Sequence, residues 1–460
     1  MNYEIGVYGL GVMGASIAQN ILNHGFTAAV YSKAKEERHH FPAEKYPGKC
    51  KVCESEQELV QSLQSPRKIF LMITAGAPVD SVVEALLPLL EASDVIFDGG
   101  NSYYKDTDRR CRLCAGKGIH YVGTGVSGGQ LGALYGASIM PGGSFEGYLA
   151  GENILKAVAA QAGEKPCCAY IGQGGSGHYV KMVHNGIEYA ILQLIGEAYM
   201  ILRHGLSISH EEVLQVFRGW QGTKLDSYLI DISVQVMEKY EEDGTPLIDR
   251  ILDVAEQKGT GKWTILEAIE RGVYVPGIYE AVMARNFSAK VEERREGARL
   301  IKAPGHDQES SGIREELGDA LLLAIALSYS QGMELIRKAS DDNGWQIDQK
   351  VLADIWRDGC IIRSRLLSDI KSALEEEKAG PLVLSEAYGE FREADRALRR
   401  IVTWADGAGM ACTGFSAALH YYEYYRTQDM PVRFVQALRD CFGAHTYMRN
   451  DMPGHFHTEW

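Results

Sequence analysis

The chain has 460 residues, more than one hydrophobic core normally supports, so two or three domains are expected. It is 45% hydrophobic and 23% charged, as in an ordinary soluble globular protein, and no stretch approaches the roughly 18 uninterrupted apolar residues of a membrane span. Its net charge of -14 argues against a general nucleic-acid-binding surface, so an anionic substrate would be met by local clusters of Lys and Arg.

The amino terminus is typical of a buried strand, over residues 3–8, that leads directly into a glycine-rich turn. Because no leader sequence precedes this strand, we expect a cytoplasmic, unprocessed protein. The turn has the spacing G-x-G-x-x-G and is followed by a helical pattern from Ala15 to Asn23. Such glycines allow a tight turn, the approach of a pyrophosphate to the backbone, and close helix packing. We therefore predict a dinucleotide cofactor bound by Gly9, Leu10, Gly11, Val12, Met13 and Gly14.

The second predicted strand, Ala28 to Tyr31, ends in Ser32, Lys33 and Ala34. Folds that select NAD usually place an Asp or Glu here for the ribose 2′-hydroxyl, whereas a cation accommodates the 2′-phosphate of NADP. Lys33 and the missing carboxylate favour NADP. Use of NAD stays open, since Lys33 could also be a solvated loop charge.

Further strands are predicted at residues 68–73, 95–98 and 119–122, with helical segments between them. Strands that alternate with helices indicate a doubly wound, mostly parallel sheet that binds ligands at its strand ends. The segments 98–102 and 123–129 are expected to be such strand-end loops.

After a glycine-rich segment at residues 172–177 the pattern changes to long amphipathic helices. The predicted helical segments are 180–203, 314–339 and 352–376. We predict a cofactor-binding α/β Rossmann domain over residues 1–177, an all-helical substrate and dimerisation domain over 178–435, and a carboxy-terminal tail over 436–460. Residues 443–460 are predicted to be extended. An extended tail usually packs against another surface, and a partner subunit is a natural candidate.

One helical face in the second half carries Lys181, His184, Asn185 and Glu188, spaced so that all four side chains lie on the same side. Lys181 can take a proton from a substrate hydroxyl only when neutral, which burial beside other cations would favour by lowering its pKa. Glu188 is placed to return a proton elsewhere. Two proton transfers at different atoms fit oxidation followed by decarboxylation. The alternative is a solvated polar stripe.

Other polar residues could hold the substrate. Asn185 and the segment Ser127, Gly128 and Gly129 could bind a carboxylate and hydroxyls. A cationic set with one hydroxyl suggests a phosphate pocket, although each of its cations alone could be an exposed charge; its members are Lys258, Thr260, Lys262, Arg285 and Arg439. The G-T-G-K sequence at 259–262 lacks the spacing of a Walker loop.

The cysteines indicate reduced thiols and no metal site. There are nine, an odd number, without a secretion signal. Two pairs have C-x-x-C spacing, Cys50 with Cys53 and Cys111 with Cys114, but they are far apart, and the first lies on a strand where the two side chains point to opposite faces.

The chain resembles the 6-phosphogluconate dehydrogenase family from end to end. The similar motifs are those at residues 9–14, 98–102, 125–129, 140–143, 180–189, 257–263, 359–364 and 442–447. The resemblance implies an NADP-dependent oxidative decarboxylase of the pentose phosphate pathway that acts on 6-phosphogluconate. It implies Lys181 as general base and then general acid, and Glu188 as the acid that protonates C1 of the enediol.

The resemblance also implies the binding residues. The sugar acid would contact Asn101, Ser127, Gly128, Gly129, His184 and Asn185. Its phosphate would contact Tyr189, Lys258, Thr260 and Arg285. The cofactor would contact the G-x-G-x-x-G turn at residues 9–14, called the fingerprint turn below. It would also contact Ser32, Lys33, Ala34, Thr74 and Asn101. Members form homodimers in which the tail reaches the other subunit's site, which would carry Arg439 and His445 across the interface.

The chain departs from the family pattern at both ends of the expected ligands. Ser32, Lys33 and Ala34 replace Asn-Arg-Thr, and Thr74 replaces a common Lys. Beyond Gly129, an acidic pair, an Arg and a Pro are replaced by Gln130, Leu131, Leu134 and Ala137. An NAD-preferring variant, a related β-hydroxyacid dehydrogenase for another sugar acid, and a dinucleotide-binding protein without turnover therefore remain alternatives.

Overall fold

A computed structural model describes residues 2–256, 259–302, 310–376 and 380–460. In its first part strands alternate with helices. The strands are β1 Ile5–Tyr8, β2 Ala28–Tyr31, β3 Cys50–Val52, β4 Lys68–Leu71, β5 Val95–Asp98, β6 His120–Ser127, β7 Ser138–Gly143, β8 Gln161–Ala162 and β9 Lys165–Pro166. The helices are α1 Val12–Asn23, α2 Lys35–His40, α3 Glu56–Gln61, α4 Ala77–Leu86, α5 Tyr104–Ala115, α6 Gly129–Tyr135 and α7 Phe145–Val158.

Seven of these strands form one sheet in the order β3-β2-β1-β4-β5-β6-β7. All neighbours are parallel except β6 and β7, which are antiparallel. Tyr8 is in register with both Tyr31 and Leu71, and Leu71 with Asp98, so the turns after β1, β2, β4 and β5 meet at one edge. The predicted doubly wound, mostly parallel sheet is confirmed.

The prediction of a loop over residues 123–129 was wrong. β6 continues to Ser127 because β7 pairs with it from Val122 to Ser127 and satisfies its backbone hydrogen-bonding groups. Only Gly128, with a φ of 125°, and Gly129, with a φ of 61°, leave the strand.

The second part is helical, as predicted. Its helices are α8 Ser176–Met200, α9 His210–Trp220, α10 Tyr228–Met237, α11 Thr260–Arg271, α12 Pro276–Ser288, α13 Val291–Leu300, α14 Ile313–Asn343, α15 Gln349–Ile355, α16 Leu366–Glu375, α17 Gly389–Arg392, α18 Asp395–Gly407, α19 Thr413–Arg426 and α20 Val432–Gly443. A π-helical turn, Ile201–Gly205, continues α8. α8 lies at the centre, packed against α11, α12, α14 and strands β6 and β7.

The prediction of one helical segment over residues 352–376 was wrong. The chain forms α15 and α16 with an irregular stretch between them. Gly359 in that stretch has a φ of 66°, and a Cβ there would lie 2.5 Å from the Cβ of Ala160. The interruption of the helix allows this segment to pack closely against Ala160, just after α7.

The carboxy-terminal residues are less extended than predicted. α20 crosses the predicted start of the tail, and the following residues form a small antiparallel hairpin of β10 Tyr447–Met448 and β11 His455–Phe456. The buried carboxylate of Asp440 organises it, accepting hydrogen bonds from the backbone N–H groups of Thr446 and Thr458 and the indole N–H of Trp460.

Candidate active site

A cleft of about 920 Å³ opens at the strand-end edge of the sheet. This volume lies in the range of ligand pockets, ~300–1,000 Å³. The sequence-predicted cofactor residues that line it are Gly9, Gly11, Val12, Met13, Gly14, Ser32, Lys33, Ala34, Thr74 and Asn101. Leu10 is the exception, because its side chain is buried in the core between the sheet and α1.

The fingerprint turn has the shape that a pyrophosphate requires. Gly9 has a φ of 98°, and a Cβ at Gly14 would lie 1.9 Å from the carbonyl oxygen of Gly9. Around Gly11, in contrast, the nearest atom to such a Cβ is 3.6 Å away. The two outer glycines therefore fix the turn while Gly11 leaves its backbone open to a ligand at the start of α1, so the site fits a dinucleotide.

At the ribose end of the cleft the structure adds a residue that the sequence did not indicate. The carboxylate of Glu37, on α2, lines the cleft beside Ser32 and Lys33. Folds that select NAD usually carry an acid at the end of β2. Here the carboxylate of Glu37 reaches the same place from α2, the next helix. Lys33 does not stand alone either, since its amine lies 3.6 Å from Oε1 of Glu56.

A buried network holds the loop that carries Asn101. Oδ2 of Asp98 accepts hydrogen bonds from Ser102 Oγ (2.6 Å) and from the hydroxyl of Tyr121 (2.8 Å), and Oδ1 accepts one from the N–H of Gly100 (3.1 Å). The fully buried guanidinium of Arg110 lies 3.6 Å from the same carboxylate. The buried charges of Asp98 and Arg110 compensate each other, and the hydrogen bonds of Asp98 fix the loop on its buried side. Asn101 stays exposed in the cleft.

The cleft is shared by the two parts of the chain. Trp263, at the start of α11, lines it with Tyr103, and their ring centroids are 4.9 Å apart. Below them the buried carboxylate of Glu267 accepts a hydrogen bond from the hydroxyl of Tyr104 (2.8 Å) and pairs with Lys105 (3.0 Å). These contacts join α5 to α11 and fix the helical part against the sheet.

Lys181 is buried where α8 crosses β6. A Cβ at Gly125 would lie 2.6 Å from the Cβ of Lys181, so the glycine permits this close crossing. Burial lowers the pKa of Lys181 to about 8, against the opposing effects of Glu188 and Cys360. The expectation of neighbouring cations was wrong: burial, rather than a nearby positive charge, lowers the pKa of the amine.

His184 connects Lys181 to Ser127, the last residue of β6. Its Nδ1 lies 3.5 Å from Nζ of Lys181 and 3.2 Å from Oδ1 of Asn185, and its Nε2 lies 3.3 Å from Oγ of Ser127. Burial, and then the charge of Lys181, hold the pKa of His184 well below its usual range. A neutral ring that donates from Nδ1 to Asn185 can accept from the hydroxyl of Ser127 at Nε2.

The polar chain continues from α8 to α11 and α12. Nδ2 of Asn185 donates to Oγ1 of Thr260 (3.4 Å). One turn on, the ring of Tyr189 has the guanidinium of Arg285 3.5 Å from its centroid, a cation–π contact. A Cβ at Gly261, next to Thr260, would lie 3.0 Å from the ring of Tyr189. Tyr189, Thr260 and Arg285 of the expected phosphate pocket therefore lie close together, whereas Lys258 falls outside the described residues.

Glu188 lies two turns from Lys181 on α8 and is half-buried. Its charge acts on the amine, since it raises the pKa of Lys181 against the effect of burial. Glu188 is more exposed than the buried Lys181.

Arg439 and His445 are not brought to this site within the chain. Arg439 lies on α20 and donates to Oε1 of Gln436 (2.9 Å), and the ring of His445 lies 5.8 Å from that of Phe442. Both are exposed.

Within the described ranges, no cluster of three or more His, Cys, Asp or Glu side chains is arranged to hold a metal ion. In the same part of the chain, no helix is long and apolar enough to cross a membrane. The nine cysteines are free thiols.

Known proteins match the whole chain. Residues 4–172 match the NAD binding domain of 6-phosphogluconate dehydrogenase, and residues 177–460 match the carboxy-terminal domain of 6-phosphogluconate dehydrogenase. The decarboxylating 6-phosphogluconate dehydrogenase of Staphylococcus epidermidis is 43% identical over 100% of this chain and 99% of its own length. The NADP(+)-dependent, decarboxylating enzyme of Bacillus subtilis is 45% identical over 99% of both.

A solved structure agrees with these relatives. The Plasmodium falciparum 6-phosphogluconate dehydrogenase, studied in its apo form, with NADP+ and with 6-phosphogluconate, superimposes with a TM-score of 0.96 at 39% identity. The match covers 99% of this chain and 100% of that one. The fold, the site and the full-length similarity agree, and the chain belongs to the 6-phosphogluconate dehydrogenase family.

Proposed function

We propose that this protein oxidises and decarboxylates 6-phospho-D-gluconate to D-ribulose 5-phosphate and CO2 while reducing NADP to NADPH, as the relatives named for this reaction do. The observation that carries the proposal is the buried Lys181, whose pKa of about 8 leaves a substantial neutral fraction near neutral pH. A chain of polar contacts runs from Lys181 through His184 and Asn185 to Thr260, and Arg285 lies over Tyr189 one turn further along α8. This arrangement supports a base and a phosphate-binding cation in one site.

The chemistry requires a carbonyl β to the carboxylate, so oxidation takes place at C3 of the substrate. Neutral Lys181 removes the proton of the C3 hydroxyl. Bound NADP supplies the acceptor for the hydride that leaves C3. The Lys181 ammonium then donates its proton to the C3 carbonyl oxygen, which stabilises the negative charge that develops there as CO2 departs.

Glu188 completes the reaction at another carbon. Loss of CO2, which was C1 of the substrate, leaves an enediol whose C1 is the former C2. It becomes the ketose when this carbon receives a proton and the hydroxyl on the former C3 returns its proton to Lys181. Glu188, half-buried on the same helix face, donates the proton to C1 of the enediol. Separate groups for the oxygen on C3 of the substrate and for C1 of the enediol account for a base and an acid two turns apart.

The proposed binding residues divide by substrate end. Asn101, Ser127, Gly128, Gly129, His184 and Asn185 hold the sugar acid. Tyr189, Lys258, Thr260 and Arg285 hold the phosphate. The hydrogen bond from Asn185 to Thr260 and the cation–π contact of Arg285 with Tyr189 support this division.

We further propose a cytoplasmic homodimer in which the tail enters the partner's site and contributes the partner subunit's Arg439 and His445. Exposed apolar side chains on α20 and the hairpin support a docking role, because such side chains are normally covered; they include Val432, Phe434, Leu438, Phe442 and Met448. The chain would then comprise a cofactor domain over residues 1–177, a helical domain over 178–435 and a docking tail over 436–460.

Comparing 6-phosphogluconate with unphosphorylated gluconate tests the substrate assignment. The phosphorylated substrate should be turned over with far higher kcat/KM. Equal efficiency would contradict it and favour another sugar acid.

A further inference from the structure

The carboxylate of Glu37 is held in a defined position at the cofactor cleft. Its Oε2 accepts a hydrogen bond from Oγ of Ser32 (2.5 Å) and another from the backbone N–H of Leu10 (3.3 Å). Its Oε1 would be 3.6 Å from a Cβ built at Gly11. The group therefore lies between the fingerprint turn and the end of β2, fixed from both sides.

This is the place where Rossmann folds distinguish the two nicotinamide cofactors. A carboxylate here accepts a hydrogen bond from the ribose 2′-hydroxyl of NAD. The 2′-phosphate of NADP has no such proton to give when ionised and carries a charge of about -1.5 to -2, so the same carboxylate repels it.

The two neighbouring cations, Lys33 and Arg38, are already paired with other carboxylates, which limits how far they can offset this repulsion. The amine of Lys33 lies 3.6 Å from Glu56, and the guanidinium of Arg38 is bonded to Glu54 at 2.9 Å. Arg38 also donates to the carbonyl of Ser32 at 2.6 Å, which holds it against the backbone. A 2′-phosphate must compete with these carboxylates for both cations. Lys33 is 61% exposed and can turn toward a phosphate, but as a point charge without the fork of an Arg.

We propose that Glu37 is the residue that sets the cofactor preference, accepting a hydrogen bond from the 2′-hydroxyl of NAD so that the enzyme uses NAD as well as NADP. This deepens the proposed function, on which it rests for the reaction and the sugar acid. It assigns to Glu37 both the affinity for NAD and a penalty against NADP.

The test is direct binding of NAD and NADP by calorimetry, without sugar acid, to the full-length wild-type protein and to Glu37→Gln. The variant keeps the length of the side chain and removes its charge. NADP should bind more tightly and NAD more weakly, so that the ratio of the two dissociation constants changes roughly tenfold or more. The ratio of kcat/KM values should move in the same direction.

Glu36→Gln is the matched control, since Glu36 is the adjacent carboxylate on α2, is exposed and does not line the cleft. It should leave the ratio unchanged. If Glu37→Gln does not fold, Glu37→Ala serves with the same expectation. An unchanged ratio in the folded Glu37 variant, or an equal change in Glu36→Gln, overturns the proposal. Lack of turnover of 6-phosphogluconate with either cofactor would contradict the proposed function instead, while the binding ratio would still test Glu37.

Discussion

The amine of Lys181 lies 3.5 Å from Nδ1 of His184, and both side chains are buried on the same face of α8. Burial lowers the pKa of each, so both are neutral over much of the range near and above pH 8. A neutral amine next to a neutral imidazole gives a base that can accept a proton without a second positive charge beside it.

The pH dependence follows from the neutral amine. Because the free enzyme must present Lys181 unprotonated, kcat/KM should rise about tenfold per pH unit below pH 8 and level off above it. A profile in which kcat/KM stays constant from pH 6 to pH 9 would exclude a base with this pKa.

Replacing Lys181 should separate activity from stability. Lys181→Met keeps the apolar stem and removes the amine, so NADPH formation should vanish. Because burial lowers the pKa of Lys181 from 10.5 to about 8, its protonated amine destabilises the folded state fully below about pH 8. This destabilisation decreases as pH rises toward 10.5. At pH 7 the free energy of unfolding of the variant should exceed that of the wild type by about 3 kcal/mol, the size expected for a pKa shift from 10.5 to about 8. Denaturant unfolding measures this difference. Equal or lower stability would show that the amine is not buried as a cation.

Glu188→Gln should lower kcat with little change in the dissociation constant of 6-phosphogluconate. The amide retains hydrogen bonding but has no proton of suitable acidity for C1 of the enediol. Steady-state NADPH formation at saturating substrate and calorimetry of substrate binding check the two quantities. The exposed Glu211→Gln on α9 is the control, and equal rates in the two variants would place the acid elsewhere.

Arg285 should contribute mainly to phosphate binding. Arg285→Ala should raise KM for 6-phosphogluconate roughly 10- to 100-fold, as expected for loss of a charge-assisted contact, with a smaller effect on the weak turnover of gluconate. Arg285→Lys should recover only part of the affinity, because it keeps the charge and loses the planar fork over Tyr189. The control is Arg299→Ala, an exposed residue paired within α13. An equal loss with both substrates would contradict a phosphate role.

Mixed dimers test the exchanged tail. Lys181→Met and Arg439→Ala should each be inactive or strongly impaired alone. If the tail enters the other subunit's site, a mixed dimer has one site with an intact Lys181 and an intact Arg439, so activity should reappear when the two are refolded together. No recovery in dimers shown to be mixed would mean that the tail serves its own subunit.

The sequence predicted the parts of this molecule that depend on local spacing. The four polar residues of α8 lie on one side because a helix repeats every 3.6 residues, and strands β2 and β5 have the predicted bounds. Strand β7 was missed because Pro141, Gly142 and Gly143 are typical of a turn, and only pairing with β6 makes them a strand. Glu37 was missed because its contact to Leu10 joins positions far apart in the chain through a long side chain.

The most direct test of the central claim is to supply the purified protein with C1-labelled 6-phosphogluconate and NADP and to measure NADPH and labelled CO2 together. The proposed roles of Lys181 and Glu188 predict one CO2 for each NADPH, and neither product with Lys181→Met. NADPH without CO2, or turnover that survives in Lys181→Met, would contradict them.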